Sequence, residues 1–87
     1  MATRQLKRNL DSVSEWLDLA ECRIDIPKNW LKIEYQKDAD LLYIKLSDSP
    51  AAYCEDDLDK EVIFNYDADN NLVGIEVLHL YGIYNPV

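Results

Sequence analysis

The sequence predicts an α+β, mostly β fold: an N-terminal helix followed by a small antiparallel β-meander sheet of five to six strands. Three observations predict it. Leu6, Leu10, Val13, Leu17 and Ala20 recur at spacings of four, three, four and three, which places them on one face of a helix. From Leu31 the apolar period drops to two, the signature of half-buried strands. Residues 72–80 follow an Asp/Asn-rich turn and are apolar on both faces, so that strand calls for cover on both sides and a central place in the sheet.

The helical segment is residues 1–30 and the antiparallel β domain residues 31–87. Trp16 lies on the same side of the helix as the leucines. Ser12 and Glu15 have the spacing of a capping box, so the spacing supports either one helix of about 18 residues or an arm followed by a helix of about ten. Pro27 closes the segment, because the residue before a proline avoids helical angles. The narrow apolar stripe serves to cover the chain's own sheet or to pair with its copy in another chain.

Leu31, Ile33 and Tyr35 alternate with Lys32, Glu34 and Gln36 in the first strand. A polar turn at residues 37–40 leads to a second strand over residues 41–46, with Leu42, Ile44 and Leu46 on one face and Leu41 and Tyr43 on the other. Residues 47–50 are a turn cluster in which Pro50 denies the ladder a donor. Residues 51–55 make a weak edge strand, and residues 55–61 read as a charged loop. A fourth strand over residues 62–66 enters the turn of Asp67, Asp69, Asn70 and Asn71. In the fifth strand Val73, Ile75 and Val77 share one face, opposed by Leu78 and Leu80. The apolar tail, residues 81–87, is placed as a sixth strand or as a crossing to a neighbouring chain. Short connections favour antiparallel neighbours.

At 87 residues the chain is a single small domain whose stability margin is thin unless it associates. The longest apolar runs fall far short of the roughly 18 residues a membrane span needs, and Arg4, Lys7 and Arg8 do not lead into the apolar core of a signal peptide. A cytoplasmic protein is expected. Lone cysteines Cys22 and Cys54, far apart in sequence, read as reduced packing residues rather than a disulfide or metal pair.

The net charge of −8 is one-sided. Residues 1–30 carry five basic residues (Arg4, Lys7, Arg8, Arg23, Lys28) and five acidic ones, summing to zero. Residues 31–87 carry four lysines against twelve carboxylates, the whole −8. That surface repels phosphate backbones, so no nucleic-acid partner is expected through the β domain. It suits a small basic protein partner or simple solubility. The basic trio near the N-terminus comes without a helix-turn-helix pattern and is a weak operator signal.

YQKDADLLYIKL, Tyr35 through Leu46, resembles the opening of the domain of unknown function 2283 family of small bacterial β proteins. VIFNYDADNNLVGIEVL, from Val62 to Leu78, is similar to that family's closing strand, acidic turn and "VGIE" strand. The resemblance spans residues 31–80 and leaves the helical segment outside. It implies an all-β sheet and no assigned activity. Family members often lie beside a gene for a small, basic, ribonuclease-like toxin, so the resemblance also implies an antitoxin role. No functional residues come with it.

Candidate chemistry is sparse. Asp67, Asp69 and Asn71 alternate as the first ligands of a calcium loop do, but Leu72 and Leu78 stand where such a loop needs Gly and Glu. They read as a turn whose side chains bond the local backbone. His79, the one histidine, reads as a half-buried strand residue, since no second histidine or nucleophile completes a triad or zinc site. Carboxylates are plentiful enough to supply a general acid and base pair, and Glu76, mid-strand and on the face of Gly74, is the most interesting of them. A salt bridge to Lys45 or Lys32, or a water-facing edge, is the plainer expectation. Six tyrosines and two tryptophans suit buried interface centres or the core, where Tyr35 and Tyr66 are placed. No catalytic, cofactor-binding or metal residue is assigned. The expected function is a non-enzymatic protein-binding module, antitoxin-like toward a basic ribonuclease-type toxin. A structural homo-oligomer is the alternative, and a carboxylate- or metal-dependent enzyme comes third.

Overall fold

A computed structural model describes residues 13–81 of the protein. It contains one helix, α1 (Val13–Glu21), and five strands: β1 (Lys32–Gln36), β2 (Leu41–Lys45), β3 (Tyr53–Asp57), β4 (Val62–Tyr66) and β5 (Leu72–Leu78). Leu6, Leu10, the Ser12 cap, the basic trio Arg4, Lys7 and Arg8, and the tail expected as a sixth strand (82–87) lie outside the described residues.

The strands form one antiparallel sheet in the order β1-β2-β5-β4-β3. β5 is therefore central, as its two-sided apolar pattern requires. β1–β2 is a hairpin and β3–β4–β5 a three-stranded meander; the one non-adjacent connection runs from β2 to β3, and β5 joins the two pieces. The pairing sets Leu42 opposite Val77 and Ile44 opposite both Ile75 and Ile33. These residues alternate onto one face, and Leu42, Ile44, Ile75 and Val77 are fully or almost fully buried there.

That face is closed by α1 and the segment after it. Ala20 and Ile26 enter the core cluster, and Trp16, Leu17, Leu19, Ile24 and Trp30 pack against it. The Trp16 ring meets Tyr35 of β1 at 5.7 Å, and Tyr35 meets Tyr81 edge-on at 5.8 Å. The narrow stripe thus covers the chain's own sheet. A register shift between Asn65 and Tyr66 interrupts the β4–β5 ladder near Val73. As a result Leu72 packs against the core cluster although simple alternation assigns it to the other face.

The end of β5 departs from the sequence reading. The strand stops at Leu78, and His79 adopts φ 52. That left-handed residue folds the chain back, so Leu80 is buried in the core rather than lying on the opposite face. Arg23, just past α1, locks the turn: its guanidinium donates to the carbonyl oxygens of Leu78, His79 and Leu80.

Candidate protein-binding edge

Among the described residues only one side of β3 is paired, with β4, and four of its five residues are exposed. The sequence reading ended this edge strand at Glu55 and assigned Asp56 and Asp57 to the charged loop. The structure extends the strand through both, opposite Ile63 and Val62. An edge strand accepts this run because its outer rim and much of both faces meet water, and charge there discourages unwanted pairing. The strand is anchored at its start by Tyr53, whose ring stacks on Tyr66 at 5.1 Å and whose hydroxyl donates to Asn70 Oδ1 at 2.8 Å. Burial, and then the nearby Glu55 charge, push the Tyr66 hydroxyl above its ordinary pKa. At the far end the Lys60 N–H donates to Asp57 Oδ1 at 3.2 Å, and Glu61 turns the chain at φ 57.

Hydrogen-bond parity fixes which backbone groups face outward. The Leu78 N–H donates to the Glu61 carbonyl, so the even residues of β5 address β4. Alternation through the register then turns Cys54 and Asp56 of β3 toward open solvent. Beside this rim lies an open cleft of about 470 Å³ lined by Glu55, Asp56, Asp57, Leu58, Asp59 and Phe64. Leu58 is 79% exposed. The edge thus combines unpaired backbone groups, four carboxylates and an apolar floor. Chemically it can add a basic, extended segment as a sixth strand, with main-chain bonds giving affinity and Lys or Arg meeting the acids.

The other candidates fall elsewhere. Asp67 is buried at 8% exposure, and its Oδ1 accepts from the N–H groups of Asp69 and Asn71 at 2.9 Å each. The Asn71 side-chain amide reaches its Oδ2 at 3.4 Å. These bonds, the Asn71 backbone first, hold the Asp67 carboxyl below its ordinary pKa against the opposing effect of burial. This is the Asx-type turn the spacing suggested. Among the described residues no group of three His, Cys, Asp or Glu is placed to hold a metal.

Glu76 does not pair with Lys45 or Lys32. Its Oε2 accepts from Asn65 Nδ2 at 2.9 Å on the adjacent strand. Lys45 reaches Asp48 at 2.9 Å, which raises its pKa, and Lys32 reaches Glu34 at 3.5 Å. His79 is not a half-buried strand residue: it is exposed beyond β5, its Nδ1 2.7 Å from Glu61 Oε1. Cys22 and Cys54 are free and both exposed, so neither is a packing residue. Cys22 sits just past α1, and Cys54 lies on the outward rim of β3.

The fold and this rim define a small antiparallel β-sheet domain with an acidic open edge. A family model described as "Protein of unknown function (DUF2283)" matches residues 32–80, more than half of the chain, and the chain belongs to that family. The match begins at the first residue of β1, takes in all five strands and leaves α1 outside. No curated protein and no solved structure matches the chain. Among the described residues no helix is long and apolar enough to cross a membrane.

Proposed function

We propose that the protein is a non-enzymatic binding module that receives a basic protein segment along the β3 edge, acting as the acidic, antitoxin-like partner of a small basic ribonuclease-type toxin. The observation that carries this reading is the juxtaposition, along one open strand and the turn that follows it, of outward backbone groups at Cys54 and Asp56 with the carboxylates of Glu55, Asp56, Asp57 and Asp59. Charge of one sign around an open edge speeds encounter with an oppositely charged partner and rejects acidic competitors. Nucleic acid is rejected by the same sign.

The test is to express a basic protein encoded beside this gene with and without this chain, and to purify the chain from the same cells. Rescue of growth, with both proteins in fixed stoichiometry, supports the reading. No rescue and no co-purification would end the antitoxin version.

A further inference from the structure

The turn between β3 and β4 presents an apolar side chain inside the acidic run. Leu58, between Asp57 and Asp59, is 79% exposed. Two hydrogen bonds hold the turn that displays it: the Lys60 N–H donates to Asp57 Oδ1 at 3.2 Å, and the Glu61 N–H donates to the Leu58 carbonyl at 3.3 Å. A lone exposed leucine is ordinary on a protein surface. Leu58 has company, because Phe64 packs against the core cluster and also lines the same cleft of about 470 Å³. Directly paired residues on neighbouring strands share a face. Glu55 lies opposite Phe64 and Asp57 opposite the buried Val62, so both carboxylates stand on the face that carries the core. α1 covers the β1 side of that face, where Trp16 meets Tyr35, and among the described residues it lines no part of the cleft. The result is an apolar pair, Leu58 and Phe64, bordered by Glu55, Asp57 and Asp59.

We propose that this cleft takes one aliphatic or aromatic side chain of the partner's basic segment, set between that segment's Lys or Arg residues. The inference rests on the reading that a basic segment binds along β3, and it adds the residue that anchors the segment there. Charge selects the occupant. An acidic segment meets like charge, and a wholly apolar one leaves the carboxylates desolvated and unpaired. A segment that brackets an apolar residue with cations pairs the acids and covers Leu58 and Phe64 together. Side chains alternate between faces along a strand. On an added strand, therefore, only the residues beside Glu55 and Asp57 reach over the cleft, and the anchor and its bracketing cations recur at every second position. The anchor supplies the affinity, and the charges around it set the rate of encounter.

The experiment titrates the full chain with two synthetic peptides in which lysine and threonine alternate, one carrying leucine in place of the central lysine and its twin carrying alanine there. Both peptides are titrated against wild type, Leu58→Ala and Leu58→Met, with circular dichroism to verify folding. Wild type is expected to bind the leucine peptide roughly ten-fold more tightly than its twin. In Leu58→Ala that preference is expected to fall to about two-fold or less, and in Leu58→Met, which keeps the volume, it is expected to persist. Equal binding of the two peptides by wild type, or an unchanged preference in Leu58→Ala, overturns the anchor and leaves the basic edge standing. No binding of either peptide overturns both. A native mass that doubles at high micromolar concentration in wild type but not in Leu58→Ala makes a second copy of the chain the occupant, and also overturns the proposal.

Discussion

The Tyr43 ring of β2 lies diagonally across Gly74 of β5: a Cβ built on Gly74 would stand 2.7 Å from the Tyr43 hydroxyl oxygen and 3.2 Å from two ring carbons. Gly74 has no positive φ, so the glycine is there for space and not for backbone freedom. An aromatic side chain covering a strand glycine restores the packing that the missing side chain removes. Gly74→Ala must displace the far end of Tyr43, and a loss of about 1 kcal/mol is expected. In a domain this small that is a fall of roughly 4–8 °C in melting temperature. In a Tyr43→Ser background the same substitution should cost clearly less; equal cost in both backgrounds would show the two residues to be uncoupled.

Arg23 holds three consecutive carbonyl oxygens at the end of β5. Bonds from a charged donor are worth about 1.5–3 kcal/mol, so Arg23→Ala should destabilise by roughly 2 kcal/mol. Arg23→Lys should recover only part, because an ammonium lacks the planar fork. Hydrogen exchange at Leu80 and Tyr81 should quicken ahead of the strand amides. Uniform quickening across the sheet would argue against a local clamp.

Partner binding at β3 should be sensitive to two kinds of change. Cys54→Pro removes an outward N–H while leaving the ladder to β4 intact, and it should abolish strand addition. Glu55→Lys with Asp56→Lys reverses two exposed charges, which should slow association and flatten its salt dependence. Both sites are exposed, so the charge reversal should shift stability by no more than about 0.5 kcal/mol. Unchanged affinity in both variants would move the binding surface off this edge.

The Asp67 turn makes a prediction about acid. Its folded pKa lies below the ordinary value, so on acidification the unfolded chain takes up the proton first. The stabilisation is therefore whole at neutral pH, begins to shrink near about pH 4, and is gone once the pH falls below the folded pKa. Asp67→Asn keeps an acceptor oxygen and loses the titration. Its urea midpoint should fall less steeply than that of wild type between about pH 6 and about pH 3. Parallel slopes would assign the acid sensitivity to other carboxylates.

Much of this fold was legible in the residues. β1, β2 and β5 announce themselves through faces that repeat every second residue, β4 through a short apolar run before the Asp/Asn turn, and the two-sided apolar pattern of β5 places it centrally. β3 was expected as a weak edge strand over residues 51–55 and is an edge strand, but it runs two residues further on: Asp56 and Asp57 carry no alternation, and their place in the strand is imposed by pairing with β4. His79 and Leu80 were misplaced because a histidine, though enriched among left-handed residues, is far more often in extended or helical backbone and so marks no turn by itself. The Asn65–Glu76 bond went unseen because it requires the strand register. Arg23 had no signal at all, since its acceptors are main-chain oxygens 55 to 57 positions away. As for the candidate edge, the acidity of residues 31–87 was plain, whereas the rim that gathers it depends on strand order.

The central position of β5 also governs the order in which the protein can come into being. As synthesis proceeds, β1 with β2, and then β3 with β4, emerge as separate two-stranded hairpins, each at best marginally stable in water. Both present an unfilled inner edge to the same missing strand. The closing contacts, Leu42 with Val77 and Ile44 with Ile75, span more than thirty positions, so the entropy of closing that long loop is met before they form. A chain truncated before β5 is thus not a smaller version of this domain. It is two adhesive hairpins with no common core, and the acidic run on β3 gives them charge during that interval, when they are most prone to aggregate.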